Sequence, residues 1–292
     1  MLILFRWFSR FPLRVLHALG ALLGWITYAC SPTYRRRLQA NAALAGVPEA
    51  EWRGAIASAG RMVAEIPYLW GRPPEESILP KVRFENEGLL ADALAQGKGV
   101  LLLTPHMGSF EVTAQAIAER FGASKPITVL YRPARHPLLK ELVRTSRERP
   151  NLMAAPASLS GVRQMIRALR KGEMVGLLPD QVPPDGMGVW APFFGQPAYT
   201  MTLATRLVQQ TGAVLLLTWG ERLPRGAGYV QRFLPFPEAL PADAAESAAA
   251  INRAMEGLIR QRPSQYLWGY HRYKAPREQP VAAEAVAVSN KE

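Results

Sequence analysis

Three short stretches of the chain carry residue types suited to proton transfer and to polar contacts. The run His-Met-Gly-Ser-Phe-Glu places Glu111 five residues after His106. A neutral imidazole takes a proton from an alcohol, and a carboxylate behind it fixes the tautomer and stabilises the imidazolium. Glu111 is therefore read as the partner of His106. Five residues of regular helix turn ~140° beyond a full circle, so the two side chains meet only if His106 lies in a loop before the helix. Gly108, between them, lets a substrate approach the backbone closely. Arg132 closes the run ITVLYR, and Asp180 closes MVGLLPD with Gln181 after it. Asp180 is read either as part of the same polar rim or as a strand-end cap.

Two further stretches suit the substrate rather than the proton. On a helix starting at Pro137, Lys140, Arg144 and Arg147 fall on one side, and planar guanidinium groups grip phosphates with paired hydrogen bonds. Arg144 and Arg149 also fit a solvated helix face. A loop over residues 183–197, rich in proline and glycine, carries Trp190, Phe193 and Phe194. It offers apolar surface to an acyl chain, or else plugs a sheet edge.

These groups need a scaffold that collects them. From residue 98 the sequence alternates short apolar runs with amphipathic segments. Residues 99–104, 127–132, 174–180 and 213–219 read as strands, with 229–236 as another. Residues 111–121, 137–149, 162–172, about 200–211 and 243–261 read as helices. Uniformly apolar strands separated by helices predict an α/β fold with a mostly parallel sheet flanked by helices. In such sheets ligands bind beyond the carboxyl ends of the strands, which is where His106, Arg132 and Asp180 fall. Residues 33–72 read as helices, ended by Pro67 and by Pro73–Pro74.

The bulk composition narrows the partner. The 292 residues carry a formal charge of +12, which draws a protein to an anionic surface or substrate. No Asp or Glu precedes Glu49, whereas Arg6, Arg10, Arg14 and Arg35–Arg37 do. Between Val15 and Cys30 runs an apolar stretch with Trp25 and Tyr28 towards its end, which predicts an N-terminal hydrophobic membrane-anchor helix. The expected division is a membrane anchor over 1–32, a catalytic domain over 33–274 and a disordered tail over 275–292, where large apolar groups are scarce. The single cysteine, Cys30, excludes an internal disulfide framework and reads as a small buried apolar residue. A serine hydrolase is disfavoured because no G-x-S-x-G occurs. A nucleic-acid binder is disfavoured because aromatic and basic residues are not interleaved on one element.

The blocks PHMGSFE, YRPARHPLLKELVRTSR, LLPDQ, VWAPFFGQPAYT and PSQYLWGYHRYK, in this order, resemble the lipid A late acyltransferases of Gram-negative bacteria. These are the lauroyl/myristoyl transferases of the wider H-x-x-x-x-D/E acyltransferase superfamily. The resemblance spans about residues 1 to 274. It implies His106 as general base with Glu111 as partner, and Arg147 and Asp180 as further positions needed for activity. Arg132, Gly108, Gln181, Phe193 and Phe194 then stand as substrate-binding candidates. It implies no cofactor and no metal. It also implies acyl carrier protein as donor, an anionic Kdo-bearing lipid A precursor as acceptor, and a place on the cytoplasmic side of the inner membrane. A glycerophospholipid or other lysolipid acyltransferase sharing His106 and Glu111 is the alternative.

Overall fold

The computed structural model describes residues 7–73, 75–131 and 149–277. Arg132, Lys140, Arg144 and Arg147, the helix expected over most of 137–149, and the tail from residue 278 lie outside these.

The expected architecture is found. Seven strands form one sheet in the order β1(Val82–Glu85), β9(Tyr229–Pro235), β8(Val214–Arg222), β2(Val100–Leu103), β5(Met174–Leu177), β3(Ile127–Tyr131), β4(Leu152–Pro156). Every neighbouring pair is parallel except β8 with β9. The four residues of β2, Val100 to Leu103, are at most 1% exposed, as a central strand covered on both faces must be. Between strands run the helices α5(Glu87–Ala95), α6(Phe110–Phe121), α7(Leu159–Arg170) and α8(Leu203–Thr211), with α9(Ala244–Gln261) after β9.

Several elements differ from expectation. The loop over 183–197 contains a hairpin of β6(Gly188–Phe193) and β7(Gln196–Met201). Its inner residues Ala191, Ala198 and Thr200 are buried, and the proline content hid the alternation. β1, α5 and β4 were not anticipated. Pro67 does not end its helix, because α4(Gly54–Gly71) runs through it.

The N-terminal part is helical: α1(Leu13–Cys30), α2(Pro32–Leu44) and the single turn α3(Glu49–Trp52) lead into α4. Leu13, Leu16, His17, Gly20 and Gly24 form the buried stripe of α1, at the spacing of one helix face. The stripe packs on α4 at backbone distance. A Cβ built on Gly60 of α4 would lie 1.9 Å from the carbonyl oxygen of Gly20, so only glycine fits there. The opposite face of α1 shows Leu19, Leu22, Leu23, Trp25 and Ile26 to the outside, each 38–59% exposed. Among the described residues α1 is the one helix long and apolar enough, by length and composition, to cross a membrane. Cys30 is exposed at its end rather than buried.

Candidate active site

The parallel register of β2 and β5 builds the centre of the site. Leu103 stands opposite Leu177, and three residues beyond each lie His106 and Asp180. His106 Nδ1 is 2.6 Å from Asp180 Oδ1, and the His106 backbone N–H donates to Asp180 Oδ2 at 2.9 Å. A carboxylate only accepts, so Nδ1 carries the proton, and in the neutral ring Nε2 has the lone pair. The Asp180 side chain is 2% exposed and that of His106 17%. Burial works to raise the Asp180 carboxyl, but the ring and backbone N–H of His106, with Arg272 behind, hold it below the ordinary carboxylate range. The anion is thus kept in a dry place by donors aimed at it.

The carboxylate on Nδ1 is therefore Asp180, where the sequence pointed to Glu111. Glu111 sits in the first turn of α6 and accepts the indole N–H of Trp70, from the end of α4, at 3.1 Å. The physical reason is the turn before α6. Gly108 has φ +57°, and a Cβ there would come 2.0 Å from the Gly220 carbonyl oxygen. This left-handed residue turns the chain so that His106 faces the end of β5. The Phe110 ring, 5.1 Å from the imidazole centroid, packs edge-on against it.

The turn is tied on every side. Gly108 N–H donates to Gln265 O at 2.9 Å, Ser109 N–H to Gly220 O at 2.8 Å, and Leu267 N–H to His106 O at 3.2 Å. The amide groups of Gly108 and Ser109 are thus already occupied and do not form an oxyanion hole. Gln265 also accepts the Arg222 N–H and donates to its carbonyl, both at 2.9 Å. The C-terminal segment from Pro263 to Tyr270 consequently clamps the turn, with Tyr270 accepting the Val182 N–H at 3.0 Å just beyond Asp180 and Gln181. Gln265 gave no signal in sequence beyond its place in a recognisable block.

Phe193 and Phe194 stand at the tip of the β6–β7 hairpin, 2% and 7% exposed. Phe193 packs on Tyr273 and under Arg272, and Phe194 on Trp268 and under Arg260. They are core aromatics in this arrangement and present no open surface to an acyl chain. Trp190, half exposed, is the aromatic of this segment that faces outward. Arg149 is not a solvated residue either. Its guanidinium donates to the carbonyls of Leu69, Arg72 and Pro73 at 2.7–2.9 Å, closing the C-terminal end of α4.

Behind the turn lies a buried ionic cluster that sequence reading missed, since its members are scattered along the chain. Glu65 of α4 pairs with Arg222 at the end of β8 and also receives His17 and Tyr229. Burial alone would raise the Glu65 carboxyl, but Arg222, His17 and Ser109 hold it at about 2, against an ordinary 4.5. A depressed folded-state value stabilises the protein above the unfolded value, and that contribution is lost as pH falls through the folded one. Melting temperature is thus expected to fall between pH 4.5 and 2, and Glu65→Gln, less stable at pH 7, should show a shallower decline in thermal melts across that window. An equally steep decline would assign the acid sensitivity to other groups.

An imidazole whose Nδ1 is fixed by a buried aspartate, at the end of the central strand of a mostly parallel sheet, defines a site for activating a hydroxyl. The comparisons specify the class: the chain belongs to the bacterial lipid A biosynthesis acyltransferase family, whose sequence model matches residues 1–275. It is similar to a lipid A biosynthesis lauroyltransferase of Escherichia coli (strain K12), 31% identical over 217 residues, covering 74% of this chain and 68% of that one. A lipid A biosynthesis palmitoleoyltransferase of the same organism is 30% identical over 222 residues, covering 74% and 69%. A lipid A biosynthesis acyltransferase of Haemophilus influenzae is 26% identical over 179 residues, covering 61% and 55%. The protein is an acyltransferase, working between an acyl donor and a lipid acceptor.

Proposed function

We propose that the protein transfers a fatty acyl chain from acyl carrier protein to a hydroxyl of a Kdo-bearing lipid A precursor, on the cytoplasmic side of the inner membrane. The observation that carries the reading is the Nδ1–Asp180 hydrogen bond, which in the neutral imidazole gives the lone pair to Nε2 of His106. Nε2 takes the proton of the acceptor hydroxyl as its oxygen attacks the thioester carbonyl. The tetrahedral intermediate collapses, the C–S bond breaks, and the imidazolium returns its proton to the departing thiolate. Asp180 stabilises the transient imidazolium across the 2.6 Å contact. No acyl-enzyme is needed. Glu111, at the start of α6 and bonded to Trp70, is assigned as a second carboxylate beside the acceptor. Arg132 and Arg147 are assigned to acceptor phosphates or sugar acids.

The exposed face of α1 suits a bilayer. Burying an aliphatic side chain fully is worth about 1.5–3 kcal/mol, and Leu22, Leu23 and Ile26 are each half available for it. The arginines 35–37 that follow suit lipid phosphates.

Mass spectrometry of lipid A from cells lacking the gene tests the substrate assignment. The expected result is loss of one secondary acyl chain, restored by the wild-type gene and not by His106→Ala. Intact lipid A accompanied by accumulation of a lysophospholipid would instead establish the lysolipid reading.

A further inference from the structure

Arg222 is 5% exposed and spends every guanidinium nitrogen on a buried partner. Nε and Nη2 donate to the two oxygens of Glu65 at 2.8 and 2.6 Å, and Nη1 donates to the Ser58 hydroxyl at 3.0 Å. Nη2 also donates to the carbonyl of Gly108 at 2.7 Å. Glu65, 1% exposed, is fixed in turn by the Tyr229 hydroxyl at 3.1 Å and by His17 Nε2 at 3.0 Å. His17 lies on the buried stripe of α1. One continuous chain of hydrogen bonds therefore runs from the apolar helix, through the carboxylate and the guanidinium, to a carbonyl two residues from His106.

A buried ion pair is a poor way to gain stability, because desolvation offsets most of the attraction. It is a good way to fix direction. The guanidinium is planar and its donors diverge at set angles, so the orientation of Glu65, together with the Ser109 N–H bond to the Gly220 carbonyl, fixes where the Gly108 carbonyl points. The amides of Gly108 and Ser109 are held by backbone carbonyls, but the Gly108 carbonyl is held by this side chain. The Gly108–Ser109 peptide is thereby held at both of its polar groups, and it belongs to the turn from which His106 is aimed at Asp180.

We propose that Arg222, clamped by Glu65 and His17, is a positioning residue for acyl transfer that couples the seating of the apolar N-terminal helix to the aim of the His106 imidazole. The coupling rests on the acyltransfer reading above. It gives α1 a task besides attachment: a helix displaced from α4 withdraws His17, loosens Glu65 and relaxes the catalytic turn. The enzyme is then fully competent only with its lipid-facing helix in place.

Two variants of the full-length enzyme in detergent micelles test this. Arg222→Lys keeps the charge but loses the fork, and His17→Phe keeps an aromatic ring but removes the donor. Misaiming a reacting group by about 1 Å costs on the order of 100-fold. Arg222→Lys is expected to lower kcat about 100-fold and His17→Phe about 10-fold, with KM for both substrates within about two-fold. A substrate-free readout accompanies these values: the downfield Nδ1–H proton resonance of His106 in histidine-labelled enzyme, identified by its absence in His106→Ala. It should move upfield or broaden in both variants. Wild-type kcat and an unmoved resonance in folded variants overturn the proposal. Should Arg222→Lys fail to fold, the same two results in His17→Phe alone overturn it. Wild-type enzyme that shows the resonance yet transfers nothing to a lipid A precursor faults the acceptor assignment instead, and the resonance in the variants then decides the coupling.

Discussion

Asp180→Asn is expected to lower kcat by about four orders of magnitude while the protein stays folded. Asp180 accepts two hydrogen bonds from one residue. Oδ2 receives the backbone N–H of His106 and Oδ1 faces Nδ1. In the asparagine variant the single carbonyl oxygen is claimed by the backbone N–H, so the amide NH2 must face the ring. Nδ1 is then forced to accept, the proton moves to Nε2, and the nitrogen meant to take the hydroxyl proton has no lone pair to offer. Geometry is conserved and chemistry is lost. Steady-state transfer from acyl carrier protein to a lipid A precursor, with a thermal melt to establish folding, measures the effect. A folded Asp180→Asn enzyme within ten-fold of wild type would sink the assignment of Asp180 as the partner of His106. Glu111→Gln is the contrast. It keeps an oxygen for the Trp70 indole and leaves the imidazole tautomer alone, so its loss should be smaller than that of Asp180→Asn.

Truncation of the imidazole itself, His106→Ala, removes the base and is expected to cut kcat by about 10³–10⁴-fold, with KM for both substrates little altered. Some stability should go with it, about 1–3 kcal/mol for the Asp180 oxygen left without the ring, without preventing folding. The ring is partly exposed and its strongest tie is to Asp180, whose second oxygen keeps the backbone N–H in the variant. The residual rate should come from bringing hydroxyl and thioester together. A folded variant with near-normal turnover would end the acid–base mechanism, whatever the acceptor proves to be.

The scaffold was largely legible because its signals are local. Uniformly apolar runs such as Val100–Leu103 announce covered parallel strands, and β2, β3, β5 and β8 fall where expected to within a few residues. Short edge elements were lost. β1 alternates with charge as Val-Arg-Phe-Glu, and β4 carries two alanines and a proline. In the site, His106 and Asp180 were visible as strand-end residues converging on one rim, yet the pairing was read from the nearest carboxylate in sequence. The equal offset of the two residues from Leu103 and Leu177 held the answer, but register between strands 74 residues apart is a tertiary fact. Glu65 and Arg222 were invisible for the same reason: a buried carboxylate and a surface one look alike until the partner arrives from 157 residues away.

The clamp on the catalytic turn also bears on the order of assembly. The ties to His106 and Gly108 come from Leu267 and Gln265, some 160 residues downstream. A chain leaving the ribosome can therefore complete β2, β5 and β8 well before its histidine is aimed. Proton-abstracting competence arrives only with the segment from Pro263 to Tyr270. A nascent or prematurely terminated product lacking that segment would carry an idle imidazole, unable to consume acyl thioester.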